Sequence, residues 1–472
     1  MLKMWAFNAE ESAKPLQYAL LCALLSLSFG YDLGQLFVNQ QFLNDFFILS
    51  GNEGDVILGT FILGLILGFF LGGFLNYGSG RRLCLLCGAA LGILSIIASM
   101  FAPNLSILLC TQFVIGFAAA LFLFSAILYC AEITLPRQRG LACCLPWVLL
   151  SGGIFLAVIT REINPIHGMP VMALGLCIFN LLLLIIAVLR LPESPRYLAS
   201  VGQSDRALSV LFRLRLNMSI AARELAGINE GFRQETRGAQ FFFQSAAFRY
   251  VFWTLICLTL LLHASGLTLV PFALSDLFLL QHDVVRYQSY DLTYGLLKAA
   301  CAVVFFGTVT AALMADRIGR RVLLCGAALL INLALLLLFL GFLGSTLFFA
   351  PLFITLGVLL YIYAATILLV GLLALLLPEL SPGRGREFAA ICVLITSAVA
   401  SLFVMQVYYQ LVAVLGFTLL FGLCLLCSVL LTLLCLQVVP NTSSASLEGI
   451  ENRLMEGVPL RSLGRLRDRR DD

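Results

Sequence analysis

Gly80-Arg81-Arg82-Leu83-Cys84-Leu85-Leu86-Cys87-Gly88-Ala89-Ala90-Leu91 returns, slightly shortened, as Gly319-Arg320-Arg321-Val322-Leu323-Leu324-Cys325-Gly326-Ala327-Ala328-Leu329. A second constant interval relates Glu132 and Arg139 to Glu379 and Arg386, and a nearly equal one separates Pro192 from Pro440. The apolar segments between these marks recur in the same order. Two parallel halves, each with basic punctuation between apolar spans, point to a membrane protein built from duplicated helical bundles.

Composition agrees. Hydrophobic residues make up 61% of the chain and charged residues 11%, with a mean hydropathy of +1.02, far from a soluble domain. Apolar runs of about 20 residues, enough to cross ~30 Å of hydrocarbon, recur along the chain. Twelve are read, beginning near Leu16, Val56, Leu83, Ser106, Leu141, Met169, Tyr250, Thr293, Val322, Leu347, Phe388 and Val412. The first runs into Phe29-Gly30-Tyr31-Asp32 with no small-residue cleavage site, so it is read as a span and not a signal peptide. The expected division is a first six-helix bundle over 1–190, a linker with short amphipathic helices over 191–249, a second six-helix bundle over 250–438 and a tail over 439–472.

Of the 29 Lys and Arg, all but Arg161, Arg286 and Lys298 fall in the amino-terminal tail, the even-to-odd loops or the carboxy-terminal tail. Basic loops stay cytoplasmic, which predicts that both termini are cytoplasmic. The net charge of +4 is this topology in aggregate and implies no nucleic-acid partner. Arg461 to Arg470 read as a solvated tail. The 15 cysteines, including the CxxC spacings Cys84/Cys87 and Cys424/Cys427, sit almost entirely in leucine-rich spans. They are expected to pack as small hydrophobes, with no metal site and no disulfide framework.

Five motifs in order give the chain a family resemblance. Phe29-Gly30-Tyr31-Asp32-Leu33-Gly34 lies in the first span, and Glu132 with Pro136-Arg137-Gln138-Arg139-Gly140 follows the fourth. Pro192-Glu193-Ser194-Pro195-Arg196-Tyr197-Leu198 follows the sixth, and Asp316-Arg317-Ile318-Gly319-Arg320-Arg321 separates the eighth and ninth. Pro440-Asn441-Thr442 with Ser446-Leu447-Glu448-Gly449-Ile450 closes the set. From about residue 20 to 452 the chain resembles the sugar porter family of the major facilitator superfamily. The resemblance implies an all-α membrane protein of 12 transmembrane helices in two pseudo-two-fold related bundles. It also implies a monomer in membrane lipid, carrying a sugar or related polyol by alternating access. Glu132, Arg139, Glu193, Arg196, Asp316, Arg317, Arg320, Arg321, Glu379 and Arg386 are the implied latch on the cytoplasmic side.

The chain departs from the family pattern in places. Tyr77-Gly78-Ser79-Gly80-Arg81-Arg82 lacks the Asp and first Arg of its second-half counterpart, Asn441 replaces a Glu, and Glu387 follows Arg386 where the family has Gly. A weaker latch in the first half is therefore expected.

A carboxylate inside a span is costly to keep charged, which makes Asp32 the candidate proton carrier. Gln112 aligns with the Arg that exchanges partners with such an Asp in proton-coupled relatives. The family's sugar-binding amides and aromatic are largely missing; the aligned positions carry Trp147, His263 with Thr268, Ala374, Ser397 and Ser401. These, except Ala374, are the substrate-site candidates, together with Lys298. Lys298 either faces the cavity, where it would attract an anionic solute, or reaches outward toward Asp291.

No P-loop, GxGxxG after a strand or HExxH is present, and the only histidines are His167, His263 and His282. The chain is therefore read as no enzyme and no primary pump, with no cofactor and a proton gradient as its energy source. The rival readings are a carrier for an organic anion and a non-transporting sugar sensor, the latter set back by the short tail. The absence of a long glycosylated outer loop leans toward a bacterial inner membrane.

Overall fold

A computed structural model describes residues 14–38, 53–163, 168–232, 236–272, 288–344, 350–443 and 445–463. Arg286, His167, His282 and the tail beyond 463 lie outside the described residues, as does the side chain of Asp291. The regular structure of the described residues is all helical, without strands. Among the described residues, eleven helices are long and apolar enough to cross a membrane. The longest, Arg386–Val438, has 53 residues and is two spans joined at Gly416, whose backbone is non-helical (φ 64°, ψ 168°). The twelve apolar runs are thus twelve spans.

The first half comprises a span over 14–38 with a turn at Leu25–Ser26, then Glu53–Ser79, Arg81–Met100, Leu105–Ile133, Arg139–Ile163 and Gly168–Arg190. Short helices Pro195–Ser200, Ser204–Arg215, Met218–Gly231 and Gly238–Gln244 follow at one end of the bundle. The first three of these helices close around Leu198, Ala207, Leu211, Leu225 and Ile228, a small core of their own. The second half comprises Ala246–Ala264 with its extension Leu269–Phe272, then Gln288–Ala315, Arg320–Leu343, Ala350–Leu380 and the two parts of Arg386–Val438. Helix Leu447–Met455 returns to the linker end.

Burial sorts the spans by position. Span four is 83% buried over its most apolar window and span six only 33%, so the former is central and the latter presents its leucines to lipid. The halves meet along two seams. Span two meets span eleven, where Gly73 leaves no room beside Ile391. Span five meets span eight, where Phe155 stacks on Phe305 at 5.8 Å and Ser151 and Thr308 share a 2.6 Å hydrogen bond.

The seam between spans one and five sets the orientation of Asp32. Ser26 donates to the Pro146 carbonyl at 2.8 Å. One turn on, a Cβ at Gly30 would sit 1.8 Å from the Leu150 carbonyl oxygen, and one at Gly153 would sit 2.2 Å from that of Leu27. Gly30 and Gly34, four residues apart, form one flat face against span five. Asp32 lies about 200° around the helix from Gly30 and is turned to the opposite side. Gly30→Ala is therefore expected to destabilise the protein by about 1–3 kcal/mol through overpacking. Gly175→Ala, where an added Cβ meets nothing within 4 Å, is the control. Equal melting temperatures for the two purified variants would remove the seam from the argument.

Candidate functional site

Two buried carboxylates organise the linker end. Glu132 closes span four and receives Arg81 of its own half at 3.1 and 3.2 Å and Arg386 of the other half at 3.4 Å. Glu379 ends span ten and receives Arg320 of its own half at 2.9 and 3.3 Å and Arg139 of the other half at 3.8 Å. A hydroxyl completes each site, Ser194 on Glu132 and Thr442 on Glu379. The duplicated sequence has built one site twice, each drawing an arginine from across the interface.

Local backbone explains how the arginines arrive there. Spans three and nine both begin after a glycine at positive φ, Gly80 at 92° and Gly319 at 84°, a conformation that a side chain strains. The turn aims Arg81 and Arg320 back under the preceding span, where each also donates to a span-end carbonyl, Asn76 at 3.2 Å and Ala315 at 3.3 Å. Arg320 and Arg386 are among the largest fully buried side chains of the molecule.

The remaining latch candidates divide. Asp316 accepts from the Gly140 and Leu141 N–H groups at 3.0 and 2.8 Å, capping span five across the interface while pairing with Arg320 at 2.8 Å. Arg196 pairs with Glu448 of the tail helix. Glu193 acts within its own half, accepting from the Arg81 and Arg82 N–H groups at 3.0 and 3.1 Å as a cap on span three. Arg321 donates to the Leu436 carbonyl at 2.9 Å, also within its half. Arg317 is exposed and joins none of these contacts.

The expected weakness of the first half is corrected by a residue that the family pattern does not hold. Arg81 pairs with Glu387, the acid at the start of span eleven. Symmetry makes the exchange legible, since position 77 corresponds to 316 and 387 to 140. In the second half the acid sits in the loop and the backbone of Gly140 receives it. In the first, Tyr77 stands in the last turn of span two and the acid is carried by the facing helix. Its signal in the sequence was the Gly-to-Glu departure after Arg386.

The other candidates form two groups and a bridge. Asp32 is 4% exposed; the Gln112 side-chain NH2 lies 3.5 Å from it, the limit of a hydrogen bond. None of the ion pairs among the described residues involves Asp32. Between spans seven and eleven, His263 Nε2 lies 3.2 Å from Ser401 Oγ and 3.4 Å from Ser397 Oγ, and Thr268 donates to Ser401 at 3.2 Å. Trp147 of span five is partly buried, and its indole nitrogen is buried without a hydrogen-bond partner. Lys298 joins neither group; it pairs at 3.0 Å with Glu162 of span five, a partly exposed bridge between the halves that sequence reading missed.

The profile of the family described as "Sugar (and other) transporter" matches residues 18–454. The chain belongs to this family. The galactose-proton symporter of Escherichia coli strain K12 is 27% identical over 452 residues, covering 94% of this chain and 95% of that protein. The arabinose-proton symporter of the same strain is 25% identical over 448 residues, covering 94% of each. The structure of the proton:xylose symporter XylE bound to 6-bromo-6-deoxy-D-glucose superposes with a TM-score of 0.77 at 20% identity, covering 95% of this chain and 99% of that one. The fold is therefore that of a major facilitator carrier, and members of this family are transporters, not enzymes.

Two outcomes test the linker end. Glu387→Gly leaves Arg81 without its partner across the halves, a loss of about 1.5–3 kcal/mol for a hydrogen bond to a charged group. Labelling of Cys143 and Cys144, buried in the first turns of span five, from the linker side should rise severalfold and fall back in Tyr77→Asp/Glu387→Gly. Failure of the double variant to recover would contradict the transposed pairing. The second concerns acid. Burial opposes the Glu448 charge, but the Arg196 guanidinium, with Arg139 and Arg386 behind it, holds its carboxyl below the ordinary value. The pair therefore stabilises the docked tail helix fully above pH ~4.3, the usual Glu value, and less as pH falls through the lower folded value. Protection of Leu447–Met455 against hydrogen exchange, taken relative to the intrinsic rate at each pH, should fall on such acidification in the wild type and lose that dependence in Glu448→Gln.

Proposed function

We propose that this protein is a secondary active transporter that moves a sugar or related polyol across a membrane by alternating access, as a proton symporter. The observation that carries the coupling is Asp32, a buried acid in span one with no ion-pair partner among the described residues and only the amide of Gln112 beside it. An intramembrane acid held this way is expensive while charged, and taking up a proton relieves the cost. Trp147 offers an unpaired donor from the first half, and His263, Thr268, Ser397 and Ser401 offer hydroxyl and imidazole groups from the second. Both kinds of group suit a solute dense in hydroxyls.

The linker end is the cytoplasmic end by its arginines, with both termini there, and the host membrane is a bacterial inner membrane in which the protein acts as a monomer. The two carboxylate sites are then the inner latch. Intact, they hold the cytoplasmic side closed; opening inward replaces each cross-half arginine with water. Relatives that are galactose-proton and arabinose-proton symporters support the sugar and the proton alike. The organic-anion reading rested on Lys298 as a cavity cation, and that charge is already paired with Glu162.

Stabilisation of the purified protein across hexoses, pentoses and polyols identifies the solute, since a ligand of the native state raises the melting temperature. In liposomes with that solute, Asp32→Asn should abolish accumulation driven by a proton gradient while preserving counterflow exchange. Accumulation at the wild-type level in this variant would remove Asp32 from the mechanism.

A further inference from the structure

Span seven loses its helical form after Ala264 and resumes it at Leu269, and side chains on either side of this break converge on span eleven. His263 Nδ1 lies 2.9 Å from the Thr259 carbonyl oxygen, one turn back on the same helix. A carbonyl only accepts, so Nδ1 carries the hydrogen and Nε2 of the neutral ring presents its lone pair. Ser401 Oγ, at 3.2 Å, then donates to Nε2, while Thr268 donates to Ser401. Ser397 Oγ, at 3.4 Å, stands as a second donor to the same nitrogen. The result is a directed chain from Thr268 through Ser401 and His263 to a backbone carbonyl, in which the Ser401 hydrogen is committed inside the protein.

A proton on Nε2 reverses this direction. Imidazolium donates from both nitrogens, so Nε2 turns from acceptor to donor and Ser401 becomes its acceptor. The hydrogens of Ser401 and Ser397 must then find other acceptors. Ser401 and Ser397 are only partly buried and stand free to supply them outward, whereas His263 is 3% exposed. Among the described residues no carboxylate or cation lies within ion-pair distance of the ring. Around it stand Thr259 and Ser265 of its own span and the two serines of span eleven. Tyr361 of span ten and Cys424 of span twelve face the break beside Gly266.

We propose that His263 is a second proton-sensitive group, independent of Asp32, that switches Ser397 and Ser401 from donors consumed within the protein to donors offered to an oxygen of the solute. His263 is here a positioning residue acting through the serines. The inference rests on the reading that this cluster borders the solute path of a sugar carrier.

The test uses the full chain in lipid nanodiscs, with histidine labelled by 15N and D-galactose, L-arabinose and D-xylose as probes. The signal lost in His263→Gln identifies the residue among the three histidines. It is expected to show the Nδ1–H form at high pH, to titrate on acidification, and to titrate at a different pH in Ser401→Ala. In an Asp32→Asn background, sugar affinity should still change with pH, on the order of tenfold for one reoriented charge-assisted hydrogen bond. Adding His263→Gln should flatten that profile. A His263 signal that stays in one form from pH 5 to 8 overturns the switch, as does a pH dependence of affinity that survives in Asp32→Asn/His263→Gln. If none of the sugars binds the wild type at any pH, the carrier reading fails instead. The 15N titration and its response to Ser401→Ala still decide the switch in that case.

Discussion

Glu132 and Glu379 each lie where almost no water reaches, and each gathers a hydroxyl and two arginines. One arginine comes from the same half, through a glycine turn, and one from the opposite half. Removing a single partner from such a buried pair typically costs about 3–5 kcal/mol, because the charge left behind remains buried. Each site therefore spans the two halves, and parting them at the linker end would take one guanidinium from each carboxylate.

Around this constraint the duplication is followed closely in some places and inverted in others. The carboxylates, the arginines behind the glycine turns and the accompanying hydroxyls of Ser194 and Thr442 obey the internal symmetry. The acid that bridges the interface does not: one copy of the site has it at Asp316, in the turn after span eight, and the other at Glu387, on the facing helix, so both acids belong to the second half and the same attraction is made with donor and acceptor segments exchanged. Electrostatic attraction is indifferent to which helix carries which sign, provided that the pair still forms across the interface.

The interior shows a related division of labour. The first half contributes an acid with an amide beside it, Asp32 and Gln112. The second contributes hydroxyls and an imidazole strung across the break in span seven. A buried acid is kept in one bundle, and a network of hydroxyls and an imidazole in the other. The Gly30 and Gly153 contact belongs to this arrangement, because the flat seam with span five turns Asp32 toward span four.

By itself the sequence determined the spans, their order and the buried pair sites. Hydropathy is summed along the chain, so apolar runs read as helices, and the repeated Gly-Arg-Arg and Glu-to-Arg spacings marked Glu132, Glu379, Arg139, Arg320 and Arg386. The tertiary structure decided who meets whom. Glu387 with Arg81, Glu448 with Arg196, and Glu162 with Lys298 are far apart in the chain, and no local pattern encodes the distance between them. The same holds for residues that carry the right charge and stand outside the two carboxylate sites: Arg317 faces outward, Arg321 reaches its own half, and Glu193 caps a helix. Composition and periodicity are properties of neighbours in sequence, whereas an ion pair depends on a separation of a few ångströms in space, which packing alone sets.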